Sequence, residues 1–87
     1  MIIEKKAVPD LFQKVWTGEK TFDARLDRFV CKPGDTLWLR EWDPKKEKYT
    51  GRELKKKVTF VLKSKDLERF WDKDEINKFG FQIIAFK

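Results

Sequence analysis

The sequence has no histidine and a single cysteine, Cys31, among its 87 residues. Without histidine, catalytic triads that use an imidazole base are excluded, as are the usual His/Cys zinc sites. One cysteine cannot form a disulfide within the chain, which is typical of a reduced, cytoplasmic protein. We therefore expect no metal ion and no cofactor.

Long hydrophobic runs are also missing. No apolar stretch approaches the roughly 20 residues that a transmembrane helix needs. The first residues lack the basic and then apolar pattern of a secretory leader. We expect a protein that makes no contact with membranes.

The chain is short for a protein with an enclosed active site. We expect one domain over residues 1–87, a monomer, in which folding buries only about 60% of the surface that the unfolded chain exposes. Hydrophobic residues make up 40% of the sequence and charged residues 41%. Four Trp and eight Phe must therefore supply much of a thin core.

Positive charge is abundant and unevenly placed. The net charge is +6, and residues 45–57 alone hold seven cationic residues against two glutamates, a surplus of +5. Clustered Lys and Arg suit a phosphate backbone, because each neutralised phosphate releases counterions. Two other interpretations stay open: the lysines keep an exposed strand from pairing with other chains, or they bind an acidic protein partner.

The first half of the chain predicts a strand, a helix and a second strand. "IIEKKAV" is the strand, and the helix spans residues 9–17, with Pro9 at its first position and Gly18 after its end. Its apolar side chains include Trp16, which we expect in the core. From Thr21 onward apolar and polar residues alternate, which predicts a strand with Phe22, Ala24 and Leu26 on the inner face.

The second half predicts two further strands, one or two short helices and a closing strand. "KPGD" is a turn that leads into "TLWLREW", where Leu37 and Leu39 define the inner face and carry Glu41 inward. "YTGR" contains a candidate turn, and residues 52–65 form the next strand with a row of lysines on its open face. Residues 66–79 favour short helices, with Asp72 and Glu75 spaced as a capping box and Gly80 as the stop. "FQIIAFK" is apolar on both faces, as a central strand is.

These elements define the expected fold class, α+β. The strands form a small, mostly antiparallel β-barrel, with one helix after the first strand and a short helical insertion before the last strand.

Several short motifs occur in order along the chain. "GEKTFDAR", residues 18–25, contains the pattern G-x-K-x-x-x-x-R, and it is followed by "KPGD", "LWLREWDP", "YTGR" and "GFQIIAF". Together they resemble the ASCH superfamily of PUA-like domains, and within it the DUF3850 family of small bacterial, archaeal and phage proteins. The resemblance extends over essentially the whole chain. It implies a PUA-like barrel with a cleft between the first helix and the barrel wall, and a role in binding RNA or a nucleotide-like ligand.

The residues around this signature suit such a ligand. A cleft lined by Lys20, Arg25 and Arg28, with Asp23 and Glu41 holding the cations in place, would bind a phosphate or the polar edge of a base. Trp38 and Trp42 share the face opposite the two leucines and are candidates for stacking, with burial in the core as the alternative. The complete set of predicted binding residues is Lys20, Asp23, Arg25, Arg28, Glu41, Trp42, Arg52, Lys55 and Lys57. The alternative is an internal ion-pair cluster that ties the helix to the barrel.

A catalytic role is the second hypothesis. Some ASCH-superfamily proteins deacetylate N4-acetylcytidine with a signature lysine, a threonine three residues later and a separate glutamate. Lys20 matches the lysine, but Asp23 stands in the place of the threonine, and Ile3 stands where DUF3850-like proteins tend to have a histidine. The resemblance therefore favours binding over catalysis. If the chain is an amidohydrolase, its catalytic residues are Lys20, Asp23 and Glu41; a protein-interaction module of phage or bacterial origin is the third hypothesis.

Overall fold

The computed structural model describes residues 1–25 and 28–79. They form a small α+β structure of three strands and three short helices. In chain order these are β1 (Ile2–Ala7), α1 (Pro9–Trp16), β2 (Thr36–Asp43), β3 (Lys48–Lys57), α2 (Ser64–Leu67) and α3 (Lys73–Phe79).

The sheet has the order β1-β2-β3 and is mixed. β1 runs parallel to β2, with Ile2 opposite Thr36 and Ala7 opposite Glu41. β2 and β3 form an antiparallel hairpin. The prediction of a mostly antiparallel barrel is corrected here: the described strands form an open sheet that does not close. Alternating hydrophobicity does not distinguish the two strand directions, whereas the helical connection between β1 and β2 is what makes a parallel pair possible.

Two strand predictions are wrong in position. Residues 21–25 are not a strand, and side-chain hydrogen bonds hold this segment instead. β3 begins at Lys48, so the "YTGR" motif lies inside the strand and is not a hairpin turn. β3 ends at Lys57, whereas the sequence pattern predicted a strand over residues 52–65. The expected helix stop at Gly80 and the strand over residues 81–87 lie outside the described residues, as do Leu26 and Asp27.

Helix α1 covers one face of the sheet. Phe12 and Val15 of the helix pack with Leu39 of β2, and Leu37 and Leu54 border this core. Pro9 lies in the first turn of α1, as the sequence predicts. Backbone N–H groups in this turn have no partner within the helix, so the absence of an N–H on proline removes no helical hydrogen bond. Gly18 follows the helix with a φ of 84°, a left-handed conformation that favours glycine.

Trp16 was expected in the core, and this is wrong. The residue is 52% exposed, because it is the last residue of α1 and lies at the edge of the contact between helix and sheet. Its ring instead lies 5.3 Å from the guanidinium carbon of Arg52.

The "KPGD" turn and the start of α3 agree with the sequence patterns that predict them, whereas α2 begins at Ser64, two residues earlier than expected. In "KPGD" the Asp35 N–H donates to the Lys32 carbonyl at 3.0 Å, and Gly34 has a φ of 95°. Proline followed by such a glycine is typical of a type II turn. The Asp72 carboxylate caps α3 by accepting a hydrogen bond from the Glu75 N–H at 2.8 Å. In the part of the chain that the structure describes, no helix is long and apolar enough to cross a membrane.

Candidate functional site

Glu41 is a charged residue inside the small core, as the alternation of β2 predicts. Its side chain is only 5% exposed, and it accepts three hydrogen bonds. Arg52 donates through Nε to Oε1 at 3.1 Å and through Nη2 to Oε2 at 2.8 Å. Thr50 donates through Oγ1 to Oε1 at 2.6 Å. These bonds compensate the loss of water around the buried carboxylate.

An irregularity in β3 brings these donors to Glu41. Arg40 pairs with Glu53 and Trp42 pairs with Tyr49, so three residues of β3 lie opposite the single residue 41 of β2. The middle one, Gly51, has a φ of 99°. A bulge of this kind redirects side chains, and here it directs Thr50 and Arg52 toward the same carboxylate.

The hydrogen bonds favour the ionised form of Glu41. Donation from Arg52 is the largest effect and lowers the pKa of the Glu41 carboxyl below its ordinary value, while burial acts in the opposite direction and Thr50 adds to the lowering. The same hydrogen bond raises the pKa of the Arg52 guanidinium. At neutral pH the two side chains therefore form a charged pair, and Glu41 is a weak base.

Helix α1 completes this group of residues, which we call the Glu41 cluster: Glu41, Thr50, Arg52 and Gln13. Oε1 of Gln13 accepts hydrogen bonds from both Nη1 and Nη2 of Arg52 at 3.1 Å. The guanidinium carbon lies 5.0 Å from the centre of the Phe12 ring on the same helix. Arg52 thus connects the bulge of β3 to α1, and it remains 41% exposed.

A second group, the Asp23 cluster, consists of Lys20, Asp23 and Arg25. Asp23 accepts from Lys20 Nζ at 3.2 Å and from Arg25 Nε at 2.6 Å. Lys20 Nζ also donates to the Phe22 carbonyl at 2.6 Å, and Arg25 Nη2 donates to the Lys6 carbonyl at 2.7 Å. The aspartate therefore holds two cations in place, as we expected, but it does so from an irregular segment and not from a strand.

Both clusters lie at the same end of the sheet. Arg25 reaches the carbonyl of Lys6, and the next residue of β1, Ala7, pairs with Glu41. The Lys20 N–H donates to the carbonyl of Lys14, one residue after Gln13 in α1. Among the described residues, no hydrogen bond or ion pair joins the two clusters directly. The expectation that Glu41 holds the cations of the signature in place is therefore wrong, because Glu41 accepts from Thr50 and Arg52 instead. Arg28 is exposed and has no ion pair with residues 1–25 or 28–79.

Other predicted residues lie on the opposite side of the sheet, on a surface that we call the aromatic–basic face. Trp42 lies there, and Lys6 Nζ is 3.7 Å from the centre of its ring. The Tyr49 ring packs against Trp42 edge-on, with 5.0 Å between the two ring centres. Trp38 has Lys55 Nζ at 5.3 Å. The expectation that the two tryptophans face away from Leu37 and Leu39 is confirmed. The members of this face are Glu4, Lys6, Trp38, Arg40, Trp42, Tyr49, Glu53, Lys55 and Lys57.

The lysines of residues 45–57 are exposed, and none forms an ion pair with a carboxylate of the described residues. Lys57 and Lys55 share the aromatic–basic face through their pairing with Thr36 and Trp38. A depression of about 300 Å³ at the turn of the hairpin is lined by Asp43, Lys46, Lys48, Tyr49 and Thr50. The surplus of positive charge therefore faces solvent.

Sequence reasoning missed the contributions of Gln13, Lys6 and Arg40. Gln13 follows Phe12 in an amphipathic helix and carries no signal of its own. Arg40 lies two residues from both Trp38 and Trp42 in "TLWLREW", so the alternation of this strand places it on the same face as the two tryptophans. The position of Lys6 depends on the parallel pairing of β1 with β2, which no local pattern shows.

Fold and site together define a small α+β protein with two ion-paired clusters at one end of a mixed sheet and a basic hairpin. The family model described as a domain of unknown function, DUF3850, matches residues 2–72. The chain belongs to this family. No curated protein and no solved structure matches it.

Proposed function

We propose that this protein is a module of the ASCH or PUA-like type that binds RNA, with a nucleotide-like ligand as the alternative. The observation that carries the proposal is the exposed row of lysines on the β2–β3 hairpin. Their charge is not neutralised by carboxylates of the described residues, so phosphates can take the place of small counterions.

The Asp23 cluster supports a specific phosphate or base contact beside that row. It contains two cations and one carboxylate, so it keeps a net positive charge. Arg25 is 31% exposed and uses Nε and Nη2 for its internal bonds. A guanidinium has five N–H donors in a fixed plane, so donors at Nη1 remain for a ligand.

The Glu41 cluster supports binding more than catalysis. Its carboxylate has a lowered pKa and its charge is balanced by Arg52, so it is poorly suited to accept a proton from a nucleophile at neutral pH. We assign it a positioning role, in which Arg52 holds the hairpin against α1.

Binding of a labelled RNA, followed by fluorescence anisotropy over a series of salt concentrations, tests the proposal. We expect the affinity to fall steeply with salt. The double variant Lys55→Ala/Lys57→Ala should reduce the slope of log K against log salt by about 0.7 for each phosphate that it no longer neutralises. The matched control is Lys65→Ala/Lys73→Ala, which removes two exposed lysines from α2 and α3 and changes the net charge equally.

The Asp23 cluster is tested separately with Arg25→Ala. We expect this variant to fold and to bind RNA about tenfold more weakly, as is typical when a charge-assisted hydrogen bond is removed. Absence of binding to single-stranded and to structured RNA at low salt would overturn the proposal. Equal effects of the hairpin and control variants would show that binding depends on net charge alone.

A further inference from the structure

The aromatic–basic face has features that the Asp23 cluster and the charge of the hairpin do not explain. It carries three aromatic side chains, and three of its cations, Lys6, Arg40 and Lys55, each lie over one of the rings. Arg40 is fixed on it, because it bonds Glu4 at 2.8 Å and lies 3.7 Å from Glu53. The face is thus an ordered surface and not a set of independent side chains.

This face is open and positively charged. Lys6 and Lys55 are exposed, and the aromatic residues on it are half-buried. The strand pairing places four cations and two carboxylates on this face, which gives it a net charge of +2. The cations are those of Lys6, Arg40, Lys55 and Lys57, and the carboxylates are those of Glu4 and Glu53. A partner that complements it must be anionic and must offer flat apolar groups.

Trp38 is difficult to explain by packing alone. Its indole Nε1 is buried and finds no hydrogen-bond partner among the residues that the structure describes. An unsatisfied buried donor is unfavourable, and phenylalanine at this position would avoid it. The larger ring of tryptophan is, however, the better surface for stacking.

We propose that the aromatic–basic face binds the unpaired bases of single-stranded RNA, with one base on Trp42 and another near Trp38. This inference rests on the proposed RNA-binding function and adds to it the form of the nucleic acid and a second surface, opposite α1. The two tryptophans are four residues apart on β2, about 13 Å along the strand, so each serves a separate base. Every base has a flat face, so this contact tolerates different sequences.

A base can replace the ammonium group that now lies over Trp42. Stacking of a base on an aromatic side chain contributes a factor of about 5 to 150 in affinity. An exposed cation over a ring contributes a factor of about 2 to 5. Lys6 is exposed and forms no ion pair with the described residues, so its ammonium group can leave the ring for a phosphate while the base takes its place.

The test compares a labelled oligouridine of about ten nucleotides with a fully paired RNA duplex of the same length. We expect tighter binding of the single strand. Trp42→Leu and Trp38→Leu should each weaken it by about tenfold, with Trp42→Phe retaining most of the affinity because it keeps an aromatic ring. Trp71→Leu is the control, since Trp71 is exposed and lies outside the sheet, between α2 and α3.

The outcomes separate this inference from the proposed function. If the tryptophan variants bind oligouridine as the wild type does, or the duplex binds more tightly, the stacking inference is wrong while RNA binding stands. If the wild type binds neither RNA, both are wrong. Loss of affinity in Trp42→Leu together with retention in Trp42→Phe supports stacking, and a denaturation curve shows whether Trp42→Leu remains folded.

Discussion

Arg52 binds both carboxylate oxygens of Glu41, at 3.1 Å through Nε and at 2.8 Å through Nη2. The two residues lie on adjacent strands, and the bulge of β3 makes this two-point contact possible. Because Arg52 also bonds Gln13, the pair connects the hairpin to α1. The geometry of this one pair thus positions three of the elements that form the candidate site.

The buried carboxylate should make stability depend on pH. The folded-state pKa of Glu41 is lowered, so the unfolded chain binds more protons and stability falls as the pH decreases. The contribution of Glu41 to stability is complete above the pKa that it has in the unfolded chain. This contribution is lost as the pH falls through the pKa that Glu41 has in the folded protein. We expect Glu41→Gln to reduce the dependence of the unfolding free energy on pH in the acidic range that begins near the ordinary pKa of a glutamate and continues below it, measured by urea denaturation.

Glu19→Gln is the control for this experiment. Hydrogen bonds from Lys14 and Thr17 also lower the pKa of Glu19, but this carboxylate is exposed, so its effect should be smaller. An unchanged pH dependence in Glu41→Gln would contradict the assigned role of the pair.

Gly51 should be required for the bulge. With a φ of 99° it has a backbone conformation that L side chains rarely adopt, while no atom lies within 4 Å of the place where a Cβ would be. The penalty of substitution therefore comes from the backbone alone, and we expect Gly51→Val to lower the free energy of unfolding by about 1–2 kcal/mol. Gly51→Asn should cost less, because asparagine tolerates positive φ.

Lys48→Val provides the comparison for Gly51→Val. Lys48 is an exposed residue of the same strand, and only Glu47 and three glycines have positive φ in the described part of the chain. Substitution there should change stability by about 0.5 kcal/mol or less. Equal effects at the two positions would contradict the importance of the bulge.

The sequence predicts the features that depend on residues close together in the chain, and it does not predict those that depend on contacts between distant segments. The helix from Pro9, the turn at Gly34 and the inward position of Glu41 depend on residues close in the chain, and all three were predicted correctly. The parallel pairing of β1 and the bulge opposite Glu41 depend on contacts between distant segments. Alternation of hydrophobic residues contains no information on either, which is why an antiparallel barrel was expected.

The same distinction applies to the site. Charge spacing in residues 20–25 correctly suggested that Asp23 holds neighbouring cations, because those contacts are local. Arg52 was assigned to a candidate turn, since Gly51 looks like a turn residue when its strand partner is unknown. The link from Arg52 to Gln13 spans 39 residues and has no counterpart in any short motif.

Asp23 should protect residues 20–25 from proteolysis. Trypsin cleaves after Lys and Arg, and in the folded protein Lys20 and Arg25 are both hydrogen-bonded to Asp23. Asp23→Ala removes both charge-assisted bonds, so we expect cleavage after these two residues to become about tenfold faster or more, followed by mass spectrometry. Glu19→Ala, which removes an exposed ion pair with Lys14, should change these rates little. Equal acceleration in the two variants would assign the protection to the general stability of the region.

The protein should not hydrolyse N4-acetylcytidine. Lys20 is paired with Asp23, the Thr50 hydroxyl donates to a carboxylate already bonded by Arg52, and the lowered pKa of Glu41 makes it a poor proton acceptor. We expect no cytidine above the uncatalysed background when the nucleoside is incubated with excess protein and followed by chromatography. Glu41→Gln identifies the source of any trace activity, because a contaminating enzyme would be unaffected by the substitution. Turnover by the wild type that is lost in Glu41→Gln would mean that the cluster is an active site and that Arg52 releases the carboxylate when substrate binds.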